Sequence, residues 1–311
     1  MAGGSEYAGA ESAAANWAAA CAGAEAADTG TESAGAGTGA QAPPGVVFVL
    51  ASASSGRAGT LRRAGVEPLI LVSEIDEDVI ADRYRPAGPG SDVPAAAAAE
   101  LVVELARAKA HAVADQLTAE QVAQHRDQWL ASPAVGTPQA RTPRVGSPTN
   151  GEPSSPADAS QPPHQRALEA IVVGCDSMLA SQGRLVGKPH DPSSARQRIA
   201  EQSGQTVVLH TGHCVLHVRF EAGRRRVQER AQAVETQVHF GHLTAQEIAA
   251  YVATGEPLEV AGAFTIDGLG GPFIDGVTGD PHSVVGISLP LLRELAGQLG
   301  VAWPRLWTRI R

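Results

Sequence analysis

The stretch AIVVGCDSML, residues 170–179, decides the fold. Its first residues, Ala170–Val173, are apolar and small or β-branched, which predicts a strand that is buried on both faces and too short for a helix. The predicted strand ends at Gly174 and Cys175, so the carboxylate of Asp176 follows its carboxyl end. Because ligands of open α/β sheets bind at the carboxyl ends of strands, Asp176 is the first candidate site residue.

A lysine follows one loop later, in the turn Gly187–Pro189. The turn is close enough in sequence for the ammonium of Lys188 to face the same cleft as Asp176. Hard cations such as Mg²⁺ take carboxylate and phosphate oxygens together. A carboxylate and an ammonium at this spacing therefore suit a site for a polyphosphate and a metal ion.

The composition argues against two classes of partner. The net charge of the 311 residues is -9, which disfavours binding to nucleic-acid phosphates but permits a small phosphate ligand. No apolar run approaches the roughly 20 residues of a membrane span. The cysteines, Cys21, Cys175 and Cys214, lack metal-ligand spacing and fit a reduced compartment. We therefore expect a cytoplasmic protein with neither a nucleic-acid nor a membrane partner.

Two long stretches have compositions that disfavour folding. Residues 1–44 are almost wholly Ala, Gly, Ser, Thr and Glu, with too little apolar area to offset an ordering entropy of ~1–2 kcal/mol per residue. Residues 132–165 carry a proline every few positions, which disfavours both helix and central strand. We predict a disordered tail over 1–44 and one domain over 45–311, interrupted by a disordered insertion at about 118–166.

A second buried strand, Val46–Ser52, leads into a loop of small residues and then a helix that opens at Arg57. A strand, a small-residue loop and a helix N-terminus form a ready anion site, because free N–H groups and the positive end of the helix dipole face the ligand. The hydroxyls of Ser52 and Ser54 and the guanidinium of Arg57 add donors. The alternative is an ordinary turn with a surface arginine.

An acidic run, SEIDED at residues 73–78, follows the predicted strand Leu69–Val72. Such a run is commonly a solvated loop. The alternative is that Glu77 or Asp76 approaches Asp176 and shares a divalent cation with it.

Lys109 lies on the apolar stripe of a helix predicted from Pro94 to about Leu117, four residues after Leu105. Its side chain either extends along the apolar surface to the solvent or delivers its charge inward to a buried anion.

The remaining chain alternates helices and strands. The predicted elements are a helix between Asp191 and Gly204, strands Thr206–Val218 and Val234–Phe240, a helix begun by a capping box at Thr244–Glu247, and a helix over Pro290–Leu299. The two strands form a hairpin whose connection, GRRRVQERAQ, is interpreted as a solvated turn. In the glycine-rich stretch that follows, Asp267 is either a contact to the polar edge of a ligand or a turn-capping aspartate.

Nine short motifs occur in an order that resembles one known family. They are LASASxxR (50–57), IDE (75–77), LARAKA (105–110), GCDS (174–177), GKP (187–189), HTG (210–212), GEPLEVAGAF (255–264), IDGLGG (266–271) and VVGISLP (284–290). Together they resemble the Maf family of nucleoside triphosphate pyrophosphatases in an actinobacterial version. The resemblance covers roughly residues 46–115 and 167–301.

The resemblance implies an α/β fold like that of Maf proteins and inosine triphosphatases, an elongated mixed sheet with flanking helices and two lobes around a central cleft. It implies hydrolysis of nucleoside triphosphates to monophosphate and pyrophosphate with a divalent cation (Mg or Mn), and it allows a homodimer. Asp176 would be the proton acceptor and would share the metal with Glu77. The substrate-binding residues would be Ser52, Ser54, Arg57, Lys109, Lys188, Ser177 and Asp267, with Arg57, Ser177 and Asp267 tied to base selection.

The chain departs from the family pattern at several of these positions. Ser55 and Gly56 stand where the family usually has a proline and a first arginine, and Ser177 stands where many members have threonine. Asp267 replaces the glutamine of pyrimidine-preferring members. An ionised aspartate only accepts hydrogen bonds, which suits a base edge rich in N–H donors such as that of guanine. We therefore expect a broadened or purine-leaning preference.

Two other functions compete with hydrolysis, and the sequence disfavours the second of them. The family is also named for inhibiting septum formation, so the chain could bind nucleotide with little or no turnover and act as a regulator of cell division. A dinucleotide-binding enzyme is disfavoured, because no G-x-G-x-x-G motif follows the first strand.

Overall fold

The computed structural model describes residues 45–88, 91–131 and 167–308. The predicted tail over 1–44 and residues 132–166 of the predicted insertion lie outside the described residues. Among the residues described, the strands are β1 (Val46–Leu50), β2 (Leu69–Ile70), β3 (Leu168–Ser181), β4 (Arg184–Val186), β5 (Thr206–Glu221), β6 (Arg224–Phe240) and β7 (Ile274–Thr278). The helices are α1 (Ser55–Arg63), α2 (Glu77–Ala81), α3 (Ala98–Gln116), α4 (Ala119–Ala131), α5 (Pro192–Gln202), α6 (Ala245–Ala253), α7 (Pro281–Val284) and α8 (Leu289–Gln298).

The strands form one mixed seven-stranded sheet in the order β2-β1-β3-β5-β6-β7, with β4 paired to β3. β1 is parallel to both β2 and β3, and the remaining pairs are antiparallel. Helices flank this sheet, so the predicted mixed α/β fold class is confirmed.

Both faces of the central strands are buried. Leu50 of β1 and Val173 of β3 pack against α1 and α8, whereas their neighbours Val49 and Val172 pack against α3 and α4. This two-sided burial is why the sequence of β1 and β3 shows a continuous apolar run instead of an alternating pattern.

The prediction that the central strand ends before Asp176 is wrong. β3 continues to Ser181, and Asp176 lies in mid-strand, opposite Gly212 of β5. What ends here is β1, whose last pair with β3 is Leu50 with Val173. Asp176 therefore lies three residues beyond the end of the parallel pair, where β3 retains its antiparallel neighbour β5.

Two glycines allow α3 to lie unusually close to the sheet. A Cβ atom on Gly174 would lie 2.1 Å from the carbonyl oxygen of Ala106, and one on Gly212 would lie 2.1 Å from that of Val102. Any side chain at these positions would collide with the helix backbone, because Cβ atoms in proteins essentially never approach another heavy atom closer than 3.0 Å. The glycines of the GCDS and HTG motifs therefore set the height of α3 above β3 and β5.

Two further boundaries differ from the sequence prediction. The connection between β5 and β6 is the two-residue turn Ala222–Gly223, so the arginine-rich stretch read as a turn belongs to β6. Residues 224–236 pair with β5 on one side only among the described strands, and an edge strand tolerates charged side chains. Helix α4 occupies the start of the insertion predicted from about residue 118, where Val122 packs on the core.

The predicted helix caps are confirmed. Asp191 accepts the backbone N–H groups of Ser193 and Ser194, and Pro192 is the first residue of α5. Thr244 and Glu247 form a reciprocal capping box at the start of α6.

Candidate active site

The centre of the candidate site is an ammonium between two carboxylates. Lys109 Nζ of α3 lies 2.6 Å from Asp176 Oδ1 of β3 and 2.7 Å from Glu77 Oε1 at the start of α2. Lys109 is 8% exposed and Asp176 7%. The lysine therefore delivers its charge inward, and the prediction that Glu77 approaches Asp176 agrees with this geometry.

Burial controls the ionisation of this group. It raises the pKa of Asp176 above its usual value, and the positive charges of Lys109 and Arg57 only partly offset that effect. Burial alone would lower the pKa of Lys109, but the Asp176 and Glu77 carboxylates outweigh it and raise the pKa. The result is an ammonium that is charged at neutral pH beside a carboxylate that is more basic than an exposed aspartate.

Arg57 is held on three sides. Its Nε donates to the Gly286 carbonyl at 2.8 Å, one terminal nitrogen to Ser52 Oγ at 3.0 Å and the other to Ser177 Oγ at 3.4 Å. A guanidinium has five N–H donors. Among the contacts of the described residues three of them are used, which leaves two for a ligand. The close approach of Gly286 has a steric basis, because a Cβ there would lie 2.9 Å from Arg57 Nε.

The loop before α1 has the predicted features of an anion site. The helix begins at Ser55, two residues before the predicted start, and Ser54 is its N-cap, accepting the N–H of Arg57 at 3.3 Å. Ser52 Oγ accepts the N–H of Ser54 at 3.2 Å. The structure therefore brings Ser52, Ser54 and Arg57 together at a helix N-terminus, where the dipole favours negative charge.

The donor set fits a hard cation that also binds the substrate. Among the residues described, no group of three or more His, Cys, Asp or Glu side chains is arranged to hold a metal ion. Mg²⁺, however, is commonly bound through one or two carboxylates plus substrate phosphates. Asp176 and Glu77, which reach the same ammonium, supply two such carboxylates.

Two predicted site residues lie apart from this centre in their contacts. Lys188 is exposed and its Nζ is 4.0 Å from Glu259, while Asp267 is exposed on the loop after Thr265. Within the described part of the chain, no hydrogen bond or ion pair joins either of them to Asp176. The turn of Lys188 is instead tied to α5 through the Gly187 carbonyl, which accepts Arg198. Their roles stay predictions.

Sequence reasoning missed the carboxylate that organises the loop of Asp267. Glu256 accepts the hydroxyls of Tyr251 and Thr265 and the backbone N–H groups of Leu269 and Gly270. These contacts wrap the loop around one carboxylate. The available signal was the position of Glu256 in the GEP segment before the loop.

His213 has a structural role. It is buried, its Nε2 accepts the N–H of Ser288 at 2.8 Å, and burial lowers its pKa to about 3. The thiol of Cys175, next to Asp176, is also buried, which raises its pKa to about 11 and leaves it unreactive at neutral pH.

None of the described helices has the length and apolarity to cross a bilayer.

The fold and the site define a class, mixed α/β proteins with a buried Asp–Lys pair beside a helix N-terminus that favours anions. The family model of Maf-like proteins matches residues 47–299, so the chain belongs to the Maf family.

Curated relatives match along most of their length, and each is named nucleoside triphosphate pyrophosphatase. A relative from Nocardia farcinica is 42% identical over 260 residues, which is 84% of this chain and 96% of the relative. One from Mycobacterium sp. (strain JLS) is 41% identical over 262 residues, covering 84% and 98%. One from Salinispora tropica is 42% identical over 264 residues, covering 84% and 88%.

Proposed function

We propose that this protein hydrolyses nucleoside triphosphates to nucleoside monophosphate and pyrophosphate, with water attacking the α-phosphate. The observation that carries the proposal is the buried Asp176 carboxylate held 2.6 Å from the Lys109 ammonium. The names of the Maf relatives support the same reaction.

Asp176 is the proton acceptor for the attacking water in this proposal. A general base works best when its pKa approaches the working pH. Burial moves the pKa of Asp176 in that direction, while Lys109 maintains the ionised form. A surface aspartate would be a weaker base.

The cations and the helix N-terminus hold the triphosphate. Phosphoryl transfer is catalysed mainly by positioning and charge stabilisation. Lys109, the two uncommitted N–H groups of Arg57 and the N-terminus of α1 supply positive potential, and Ser52 and Ser54 bind phosphate oxygens. Lys188 adds a second ammonium from its exposed turn.

Asp176 and Glu77 would hold the divalent cation, Mg²⁺ or Mn²⁺. When bound, the cation neutralises phosphate charge and aligns the phosphates. Ser177 and Asp267 would select the base, and the acceptor-only carboxylate of Asp267 favours edges with N–H donors, as in purines such as guanine. A cytoplasmic location and a homodimer belong to the same proposal.

The test is release of pyrophosphate from a panel of standard and modified nucleoside triphosphates with Mg²⁺ or Mn²⁺. We expect turnover, with the guanine nucleotide and its modified forms preferred to pyrimidine nucleotides. Nucleotide binding without turnover across the panel would reject the enzyme and favour the division regulator.

Replacing Lys109 by glutamine tests two roles of its charge, which are to stabilise the phosphates and to lower the pKa of Asp176. We expect kcat/KM to fall about 10²-fold, the scale for removing one preorganised charge-stabilising group. The ammonium lowers the pKa of Asp176, so its removal raises that pKa and moves the acid limb of the kcat/KM profile to higher pH. The measurement is the pH profile of kcat/KM.

Lys188→Gln is the matched control for this experiment. Lys188 pairs with Glu259 and not with Asp176, so its replacement should leave the acid limb in place. The lost ammonium should only weaken substrate binding. An unchanged acid limb in Lys109→Gln would contradict the assignment of Asp176 as the base.

A further inference from the structure

A chain of hydrogen bonds runs from Arg57 in the candidate site to the protein interior through the hydroxyls of Ser177 and Thr211. Arg57 donates to Ser177 Oγ at 3.4 Å, Ser177 Oγ is 3.1 Å from Thr211 Oγ1, and Thr211 Oγ1 is 3.0 Å from the Ser283 carbonyl oxygen. Thr211 and Ser283 are fully buried.

The direction of this chain follows from donor counting. A carbonyl oxygen only accepts, so the single hydroxyl proton of Thr211 is committed to Ser283. Thr211 must then accept from Ser177, whose own proton points into the protein. Ser177 therefore keeps its oxygen lone pairs for Arg57 and for a ligand.

We propose that Thr211 is a positioning residue for nucleotide selection. It fixes Ser177 as a hydrogen-bond acceptor beside Arg57 and thereby holds one terminal nitrogen of the Arg57 guanidinium. This inference rests on the proposed function and extends it, because Thr211 is fully buried and acts through Ser177. Ser177 and Asp267 then both present acceptors, which favours a base whose edge carries N–H donors.

The test compares three variants by KM, kcat and base preference. Thr211→Val keeps the volume but removes the hydroxyl, which frees the Ser177 proton to donate to the ligand. We expect KM to rise about two- to tenfold, the scale of one hydrogen bond, with kcat little changed. The kcat/KM ratio of guanine to uracil nucleotide should fall. Thr211→Ser should restore wild-type values.

Thr236→Val is the matched control. Thr236 is 1% exposed, and its hydroxyl contacts the Ser283 hydroxyl instead of Ser177. We expect it to lower the melting temperature as much as Thr211→Val and to leave KM and base preference unchanged. Equal kinetics in the two valine variants, or wild-type base preference in Thr211→Val, would overturn the proposal.

Failure of the parent proposal can be recognised separately, because affinity for α,β-methylene nucleoside triphosphates is measured on the same proteins by calorimetry. If wild type binds these analogues without turning over substrates, the hydrolase proposal fails. The positioning role is then tested by the affinities of Thr211→Val for the guanine and uracil analogues, whose ratio should fall if the role is correct and stay at the wild-type value if it is not. If wild type binds no analogue, both proposals are overturned.

Discussion

We expect Asp176→Asn to reduce hydrolysis of nucleoside triphosphates by ~10²–10⁴-fold, the contribution of a positioned general base. The amide has the shape of the carboxylate but does not take up a proton near neutral pH. Its oxygen still accepts from Lys109, and Glu77 remains as the ionic partner of that lysine, so the fold persists. Steady-state pyrophosphate release measures the loss, and circular dichroism reports the fold.

Asp275→Asn controls for the chemical change. Asp275 is exposed on β7, and its replacement should leave turnover within about twofold of wild type, as expected for a surface substitution. Retention of a tenth or more of wild-type activity in Asp176→Asn would remove Asp176 from the role of base.

We expect Gly212→Ala to lower the free energy of unfolding by about 3 kcal/mol, the upper part of the range for overpacking. The new methyl group would lie 2.1 Å from the Val102 carbonyl oxygen and 2.6 Å from the Val103 nitrogen. Relief requires α3 to move, and α3 carries Lys109. Activity should therefore fall with stability. Chemical denaturation measures the first effect and pyrophosphate release the second.

Gly297→Ala is the matched control, since among the described residues the added methyl group meets no atom within 4 Å beyond its chain neighbours and the backbone of its own helix. Gly297 lies in helix α8, where alanine is favoured over glycine by roughly 0.5–1 kcal/mol, so this variant should be slightly more stable than wild type. Wild-type stability in Gly212→Ala would show that α3 does not depend on the glycine for its position.

Local signals in the sequence predicted much of the fold. The caps at Asp191 and Thr244 depend on residues within one helical turn, and both agree with the structure. The predicted end of β3 does not agree with the structure, because pairing with β5, about thirty residues later in the chain, extends the strand past Asp176. The charged start of β6 resembles a turn in sequence, because charged residues occur both in solvated turns and on exposed strand edges.

In the candidate site, too, the sequence predicts features that depend on neighbouring residues and does not predict contacts between distant ones. The Arg57 loop could be predicted because strand, small residues and helix start are contiguous. The sequence does not decide whether Lys109 points inward, because an apolar stripe on a helix does not show what packs against it. The contacts of Gly286 with Arg57 and of Thr211 with Ser177 have no local signal in the sequence. The partners are 229 residues apart in the first contact and 34 in the second. Such contacts are set by the packing of the whole sheet.

The most direct measurement of the central claim is hydrolysis in ¹⁸O-labelled water, with both products analysed by mass spectrometry. Attack of water on the α-phosphate predicts equimolar monophosphate and pyrophosphate, with one ¹⁸O in the monophosphate and none in the pyrophosphate. Label in the pyrophosphate would place the attack on the β-phosphate. Formation of diphosphate and inorganic phosphate would contradict the proposed reaction outright.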